Sequence, residues 1–569
     1  MGVVTGLASL DWVVLIGTIA AIVFYGAWRS RHVRDADSYV RGDGTLRWPT
    51  IGLSIMATQA SAITFISTPG QGFSDGMRFV QFYFGLPLAM IVISAVFVPV
   101  YYKLKVRTAY EYLEHRFDVR VRFLGGLLFL LGRGLAAGIT IYAPSIILSQ
   151  ILGWPLQPTI IVIGVVVAIY TVLGGSQAVS ITQKHQMIVM MSGLAIAAII
   201  VVAKLPDEVS LAGAVKLAGA LGRMETVSFD LDFTSRYNFW SGLTGGFFLA
   251  LSYFGTDQSQ VGRYLSGRSV AESRLGLLFN GIFKVPMQFL ILFTGVMVFV
   301  FYMFVRPPVH FDATTLAALT KARPAEVAAL NARLDEGLAE QRAAALHYLE
   351  DDGAAVKAEL RAAAAKVEAV RKDAKALIKN TLPESETRDT DHVFLSFVLG
   401  HIPVGLVGLL FAVILCAAMS SVSSELIALG TTTTNDFYLR IRTARGSPVT
   451  SAAGDLRVQK ISTVVWGAVV IVFASMMSLF DNLIEAVNIL GSIFYGTILG
   501  LFVVAFFLKW VTATPALVGG LAAQALVTSL FFLSDLGFLW FNVIGTVTVV
   551  VVSLALQAVL RQPRQQRDV

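Results

Sequence analysis

Residues 416–424 of this chain read Cys-Ala-Ala-Met-Ser-Ser-Val-Ser-Ser, inside an apolar run from about Ile402 to Leu429. If the run is helical, the hydroxyls of Ser420, Ser421, Ser423 and Ser424 fall within about one and a half turns. A hydroxyl is a hard oxygen ligand. Several at one depth, with no reason to face lipid, point to a place where a small cation sheds its water. Arg133, in Leu-Leu-Gly-Arg-Gly-Leu-Ala-Ala-Gly, also lies well inside an apolar run. A guanidinium there must meet an anion or line a wet cavity; the structural alternative is an ion pair, with Glu425 as partner. Lys184 is a third charged residue near apolar sequence. Cys416, the only cysteine, reads as a small buried residue, and seven scattered histidines form no zinc-type cluster.

The elements that position these groups must be membrane helices. Of 569 residues, 56% are hydrophobic and 14% charged, and apolar runs of about 20 residues recur along nearly the whole length. Lipid offers backbone groups no hydrogen bonds, so the runs form helices. Thirteen spans are expected, at roughly 10–28, 48–70, 78–102, 122–151, 157–175, 183–204, 238–256, 273–305, 393–430, 457–480, 483–508, 512–533 and 537–560. The first has no basic leader and no small-residue cleavage site, so it reads as a retained span.

The net charge of +7 sits in short loops. There is no basic domain for nucleic acid, and the charge reads as topology: Lys and Arg mark the cytoplasmic side. Loops 29–47, 103–121, 257–272 and 437–456 and the segment 561–569 carry Arg31, Arg34, Arg41, Lys103, Arg263, Arg440, Arg445, Arg561, Arg564 and Arg567, among others. They alternate consistently with an N-terminus outside and a C-terminus in the cytoplasm of a cell with an inner (plasma) membrane. Residues 306–390 break the pattern with Ala-, Glu-, Lys- and Arg-rich sequence of high helix propensity. They are expected to form an extracytoplasmic helical insertion, either a lid or partner-binding hairpin or a solvated helical loop.

Two spans look discontinuous. Residues 56–62, Met-Ala-Thr-Gln-Ala-Ser-Ala, are small and polar at mid-depth and precede Pro69-Gly70; span 238–256 carries Gly242, Gly245 and Gly246, then Tyr253-Phe254-Gly255. Interrupted helices at corresponding positions of two halves mark a midplane binding site, although glycine also serves close packing. Spans 2–6 and 7–11 would be the two halves, related by inverted topology.

Several motifs, in order, resemble the sodium/solute symporter family: sodium–glucose, –proline, –monocarboxylate and –sialic acid transporters. They are Ser54-Ile55-Met56-Ala57-Thr58-Gln59-Ala60-Ser61-Ala62-Ile63-Thr64-Phe65, Tyr170-Thr171-Val172-Leu173-Gly174-Gly175, Thr256-Asp257-Gln258 through Leu265, Phe283-Lys284-Val285-Pro286, and Ser420 through Leu426 with Asn435-Asp436-Phe437-Tyr438. The resemblance covers spans 1–12. It implies an all-α polytopic membrane protein of the leucine-transporter fold, a 5+5 inverted repeat working by alternating access. The whole chain, 1–569, would be one transporter domain with core repeats at about 48–204 and 238–508.

By motif position the resemblance puts a sodium site at Ala57, Ala60, Ala417, Ser420 and Ser421. Carbonyls freed by unwinding and hydroxyls on a facing helix make an uncharged cage, which releases a monovalent cation readily; the alternative is that the serines bond carbonyls of their own helix. Sialic acid members have a second site of further serines and an aspartate. Ser423 and Ser424 fit it, but Gln183 stands where the carboxylate belongs, with Lys184 beside it. Lys184 offers a rival, proton-linked mechanism, or it snorkels to water. For solute, the resemblance implies Gln59, Ser61, Thr64, Gln81 and Tyr253 and, more weakly, Asn488 and Tyr495. An arginine at Arg133 is used in sialic acid members for the substrate carboxylate.

The expected function is thus a sodium-coupled symporter importing a small organic acid or sugar acid, with a neutral sugar or amino acid as the alternative solute. A proton-coupled or sodium-independent transporter of the same fold is the alternative mechanism. No nucleophile–base pair or phosphate loop supports an enzyme. A sensor reading expects a kinase domain that these residues do not contain. A channel is separated by saturable, cation-coupled uptake. The bilayer and the solute are the expected partners, with no obligate protein partner evident.

Overall fold

The computed structural model describes residues 7–30, 39, 44–235, 237–383, 385, 387–446, 452–476 and 483–560. Arg31, Arg34, Arg41, Arg561, Arg564 and Arg567, part of the charge pattern used for orientation, lie outside the described residues. The principal helices in chain order are α1 (Ser9–Ser30), α2 (Trp48–Gln59), α3 (Ala62–Asp75), α4 (86–104), α5 (Val119–Leu152), α6 (Leu156–Ala203), α7 (Gly246–Thr256), α8 (Gln258–Leu265), α9 (Val270–Phe304), α10 (Pro324–Glu350), α11 (Ala354–Thr381), α12 (Thr390–His401), α13 (Leu406–Thr432), α14 (Ala452–Ser475), α15 (Leu483–Phe507), α16 (Ala513–Leu533) and α17 (Leu539–Leu560). Ten helical stretches among the described residues are long and apolar enough to cross a membrane.

The expected span 48–70 is two helices. Pro49 sits in the first turn of α2, where its missing N–H costs nothing. The helix ends at Ala60, whose ψ of 76° leaves the helical region, and α3 restarts at Ala62 with Pro69 accommodated inside it. In span 238–256 Gly242 and Gly245 fall in a π-helical turn, Ser241–Gly245, and the full break comes just past Gly255. Gly242 and Gly246 also let the backbone approach the carbonyls of Gln81 and Phe82, where a Cβ would come within 2.0 and 2.5 Å. The chain leaves the helix only at Asp257 (φ −76°, ψ 120°), between α7 and α8.

The expected spans 157–175 and 183–204 appear as two apolar stretches, Leu156–Ser176 and Val179–Ala203, within α6, separated by a sharp break at Gly175 (φ 62°, ψ −175°). The Tyr39 ring stands 2.7 Å from where a Cβ would be, so both backbone and space require glycine there. One other boundary moves. The expected span 393–430 divides into a short α12 and a full α13, because the chain turns at Gly405 with φ 89°.

The insertion is a docked hairpin. α10 and α11 share a small core of Leu330, Leu334, Val367, Val370 and Ala374. Ala345, Tyr348 and Leu360 join the core of the membrane helices. Arg342–Glu208 and Lys216–Asp352 pairs tie the hairpin to the segment after α6. At its base Asp389 accepts from Arg371 at 2.7 Å, lies 3.2 Å from Lys375, and accepts from the N–H of Phe311 at 2.8 Å. Arg371 also stacks 4.4 Å from the Phe311 ring and 5.6 Å from that of Phe73 on α3.

Burial pushes the Asp389 carboxyl up, but Arg371, Lys375, His310 and the Phe311 N–H outweigh it and hold it well below the usual carboxylate range. A depressed folded value stabilises the structure above the unfolded value of about 3.9 and loses that contribution as pH falls through the folded one. Asp389→Asn is therefore expected to cost about 2 kcal/mol at pH 7. Its deficit in melting temperature against wild type should shrink as pH approaches about 3; a deficit independent of pH would refute the charge argument.

Candidate functional site

The break at Ala60 frees backbone oxygens at mid-depth. In a continuous helix the Ser61 N–H would bond the carbonyl of Ala57; here it turns to Gln59 at 3.1 Å. The Ala57 carbonyl instead accepts from Ser420 Oγ at 2.8 Å, and the Thr58 carbonyl from Ser421 Oγ at 2.9 Å. Ser420 Oγ is also 2.9 Å from the carbonyl of Ala417. Ala57, Ala60, Ala417, Ser420 and Ser421 are all buried. Hydroxyls and carbonyls from a broken helix and the intact α13 thus meet in one place, with no carboxylate among them. Among the described residues there is no group of three His, Cys, Asp or Glu that could hold a multivalent metal. An all-oxygen, uncharged set suits a hard monovalent cation.

The remaining serines separate. Ser423 Oγ meets Thr171 at 2.9 Å. Ser424 lies within 3.1 Å of Thr58 Oγ1 and receives Gln183 Nε2 at 2.7 Å. That amide nitrogen is ringed by oxygens, with Thr58 Oγ1 at 3.1 Å and the Ser420 carbonyl at 2.8 Å, while Gln183 Oε1 accepts from Ser54 at 2.5 Å. A fixed N–H₂ group thus stands among hydroxyls that the motif pattern assigned to a second cation. Lys184 is half-buried and does not line the cavity beside the first site.

A cavity of about 90 Å³ opens beside the first site. Gln59, Ser61, Thr64, Arg133, Tyr253, Asn488 and Tyr495 all line it. Gln81 does not. It is fully buried, accepts from the Ser228 N–H at 3.0 Å and points its amide at the carbonyls of Arg78 and Tyr237. The short helical turn Gly76–Tyr83 aims it at the loop preceding α7 instead of inward.

Arg133 stands at the centre of a buried network. Its Nε donates to Asp257 Oδ2 at 2.9 Å and Nη1 to Glu425 Oε1 at 3.1 Å; Nη2 meets Asp257 and Tyr495. The Tyr253 ring lies 5.1 Å from the guanidinium. Asp257 comes from the α7–α8 break and Glu425 from the serine helix, so one arginine ties that break to α13. Asp257 was not singled out from sequence; its place in Thr256-Asp257-Gln258, at the end of an apolar run, was the available signal. Lys284 was also passed over. Its Nζ is buried without a hydrogen-bond partner, 5.6 Å from the ring of Tyr83, a cavity residue.

Comparison with known proteins places this geometry in context. The model of the sodium:solute symporter family matches residues 39–329 and 374–523. The human sodium/iodide cotransporter is 33% identical over 275 residues, 47% of this chain and 41% of that protein. Human sodium-coupled monocarboxylate transporter 1 is 33% identical over 48% of this chain and 44% of its own, so the chain spans less than half the length of these two relatives. The sodium/sialic acid symporter SiaT of Proteus mirabilis (strain HI4320) is 25% identical over 95% of this chain and 93% of its own. A solved structure of a Na⁺-coupled sialic acid symporter superposes with a TM-score of 0.75 at 22% identity, covering 97% of this chain and 98% of that one. At that identity the likeness speaks to the fold.

Proposed function

The chain belongs to the sodium:solute symporter family, and from that premise we propose that it imports a small organic solute, an organic acid or sugar acid, coupled to sodium by alternating access. The observation that carries this reading is the meeting of the Ser420 and Ser421 hydroxyls with carbonyls that the break in α2–α3 releases. Sodium would take those oxygens in place of the hydroxyl protons, joining α13 to the broken helix. Gln59, Ser61, Thr64, Tyr253 and Asn488 would line the solute site, and an acid would reach Arg133 through Nη1, in competition with Glu425. No residue is assigned a catalytic role.

One sodium entering down 100 mV supplies about 2.3 kcal/mol, with its concentration gradient in addition. The loop charges support an N-terminus outside and the 306–390 insertion on the extracytoplasmic face. Proteoliposome uptake driven separately by a sodium gradient and a pH gradient tests the coupling: uptake should follow sodium. Uptake indifferent to sodium and driven by pH would restore the proton-linked alternative, for which half-buried Lys184, away from the cavity, offers little support.

Stoichiometry follows from Gln183. Its N–H₂ donates toward Thr58 Oγ1, Ser424 Oγ and the Ser420 carbonyl, occupying lone pairs that a second cation would need, so a single sodium per cycle is proposed. Gln183→Asp removes the competing protons and adds a carboxylate. The Hill coefficient for sodium-driven uptake should rise from about 1 toward about 2; an unchanged coefficient in an active variant would show that the amide is not what excludes a second ion.

A further inference from the structure

Glu425 uses one oxygen on Arg133 and leaves the other unanswered. Oε1 accepts from Arg133 Nη1, while Oε2 is buried and has no hydrogen-bond partner. The residue is 5% exposed and lies on the cavity wall. Gln59 Oε1 and Asn488 Nδ2, on the same wall, are also buried without partners. Thr140 stands close enough to interact with Glu425, but its hydroxyl gives its proton to the carbonyl of Ala136 at 3.1 Å. Asp257 already answers the charge of Arg133, so an ionised Glu425 leaves the group with one excess negative charge. A dry carboxylate oxygen without a donor is costly, and the space in front of it is the solute cavity.

We propose that Glu425 Oε2 is the acceptor for a hydroxyl or ammonium group on the transported acid, so that the solute is a hydroxylated or aminated acid and not a plain carboxylate. The proposal rests on the symporter reading above and narrows it. Three features of the geometry support it. Glu425 sits one turn along α13 from Ser421, so a donor placed there lies beside the sodium site. Gln59, on the α2 side of the break, adds a second acceptor across the cavity. Asn488 on α15 adds a donor for the remaining polar atoms of such a solute. A site built around an unsatisfied acceptor rejects the analogue that lacks the donor, because the buried oxygen then stays unpaired.

The test uses the purified full-length protein and matched pairs of acids: lactate with propionate, gluconate with hexanoate, alanine with propionate. Thermal stabilisation is measured for each with and without sodium. A donor-bearing member should stabilise at a concentration at least about tenfold lower than its partner. The lactate and alanine arms distinguish hydroxyl from ammonium. In Glu425→Gln the amide turns a donor toward the cavity, so the preference should fall below about threefold or pass to the keto acid pyruvate. If that variant does not fold, Glu425→Asp keeps the charge, withdraws the oxygen by one methylene and should weaken the same preference. Equal stabilisation by both members of every pair, or no stabilisation by any donor-bearing acid, overturns the proposal. Donor-dependent stabilisation that ignores sodium would leave the proposal standing and sink the coupling reading instead.

Discussion

Arg133→Ala is expected to abolish uptake and to destabilise the protein by about 3–5 kcal/mol, the usual cost of removing one partner from a buried ion pair. The guanidinium is 4% exposed and touches Asp257, Glu425 and Tyr495 together. Its loss leaves two carboxylates facing each other in a dry interior. Lysine is a poor replacement, because a single ammonium does not reproduce the planar fork that reaches all three partners. Melting of the detergent-solubilised variant measures the first effect and proteoliposome uptake the second. Arg133→Ala combined with Glu425→Gln separates the two. It removes one of the stranded charges and should recover part of the melting temperature, but not the uptake of acids. A double variant that transports acids at the wild-type rate would show that Arg133 only holds the helices together.

Replacing Ser420 and Ser421 together with alanine is expected to raise the sodium concentration for half-maximal uptake by roughly tenfold to a hundredfold. Each hydroxyl that coordinates or hydrogen-bonds in the site is worth about 1 kcal/mol, and about 1.4 kcal/mol is a factor of ten. Ser423→Ala is the internal control. Its hydroxyl faces Thr171 and not the α2–α3 break, so it should change the sodium requirement less than about threefold. A double alanine variant with unaltered sodium dependence would remove these serines from the site, whatever its rate of uptake.

These expectations draw unequally on sequence and on tertiary structure. The length of the apolar runs leaves helix as the available conformation in lipid, so the all-helical architecture was legible from composition and spacing. The four serines and the small polar stretch at 56–62 were legible as well, since hydroxyls and unwound backbone at mid-depth have few uses besides binding. The insertion also announced itself, as a polar, helix-forming segment that cannot lie in lipid. Its docking was another matter: Tyr348 and Leu360 reach the membrane helices' core through contacts between segments far apart in sequence.

Local pattern misled where one residue type serves two purposes. Gly242 and Gly246 read as points of unwinding, but they also bring the π-helical turn Ser241–Gly245 and the start of α7 close against the turn before α4. The real break is at Asp257, where the extended backbone delivers a carboxylate to an arginine more than a hundred residues away. Gln81 has the right type and depth for a solute contact, but the backbone of Gly76–Tyr83 turns it toward the Ser228 N–H.

What the sequence by itself determined is the membrane-helical class, the family motifs and the clustering of four hydroxyls on one membrane helix, because these follow from residue types and their spacing along one chain segment. What only the tertiary structure decided is how the polar groups are paired. Ser420 and Ser421 face the freed carbonyls while Ser423 turns to Thr171. The Gln183 amide fills a ring of oxygens. Arg133 is shared between Asp257 and Glu425. The reason is that in a dry interior each polar group's partner is set by where distant helices cross, and a hydrogen bond needs an atom within about 3 Å, a distance that spacing along the chain does not encode.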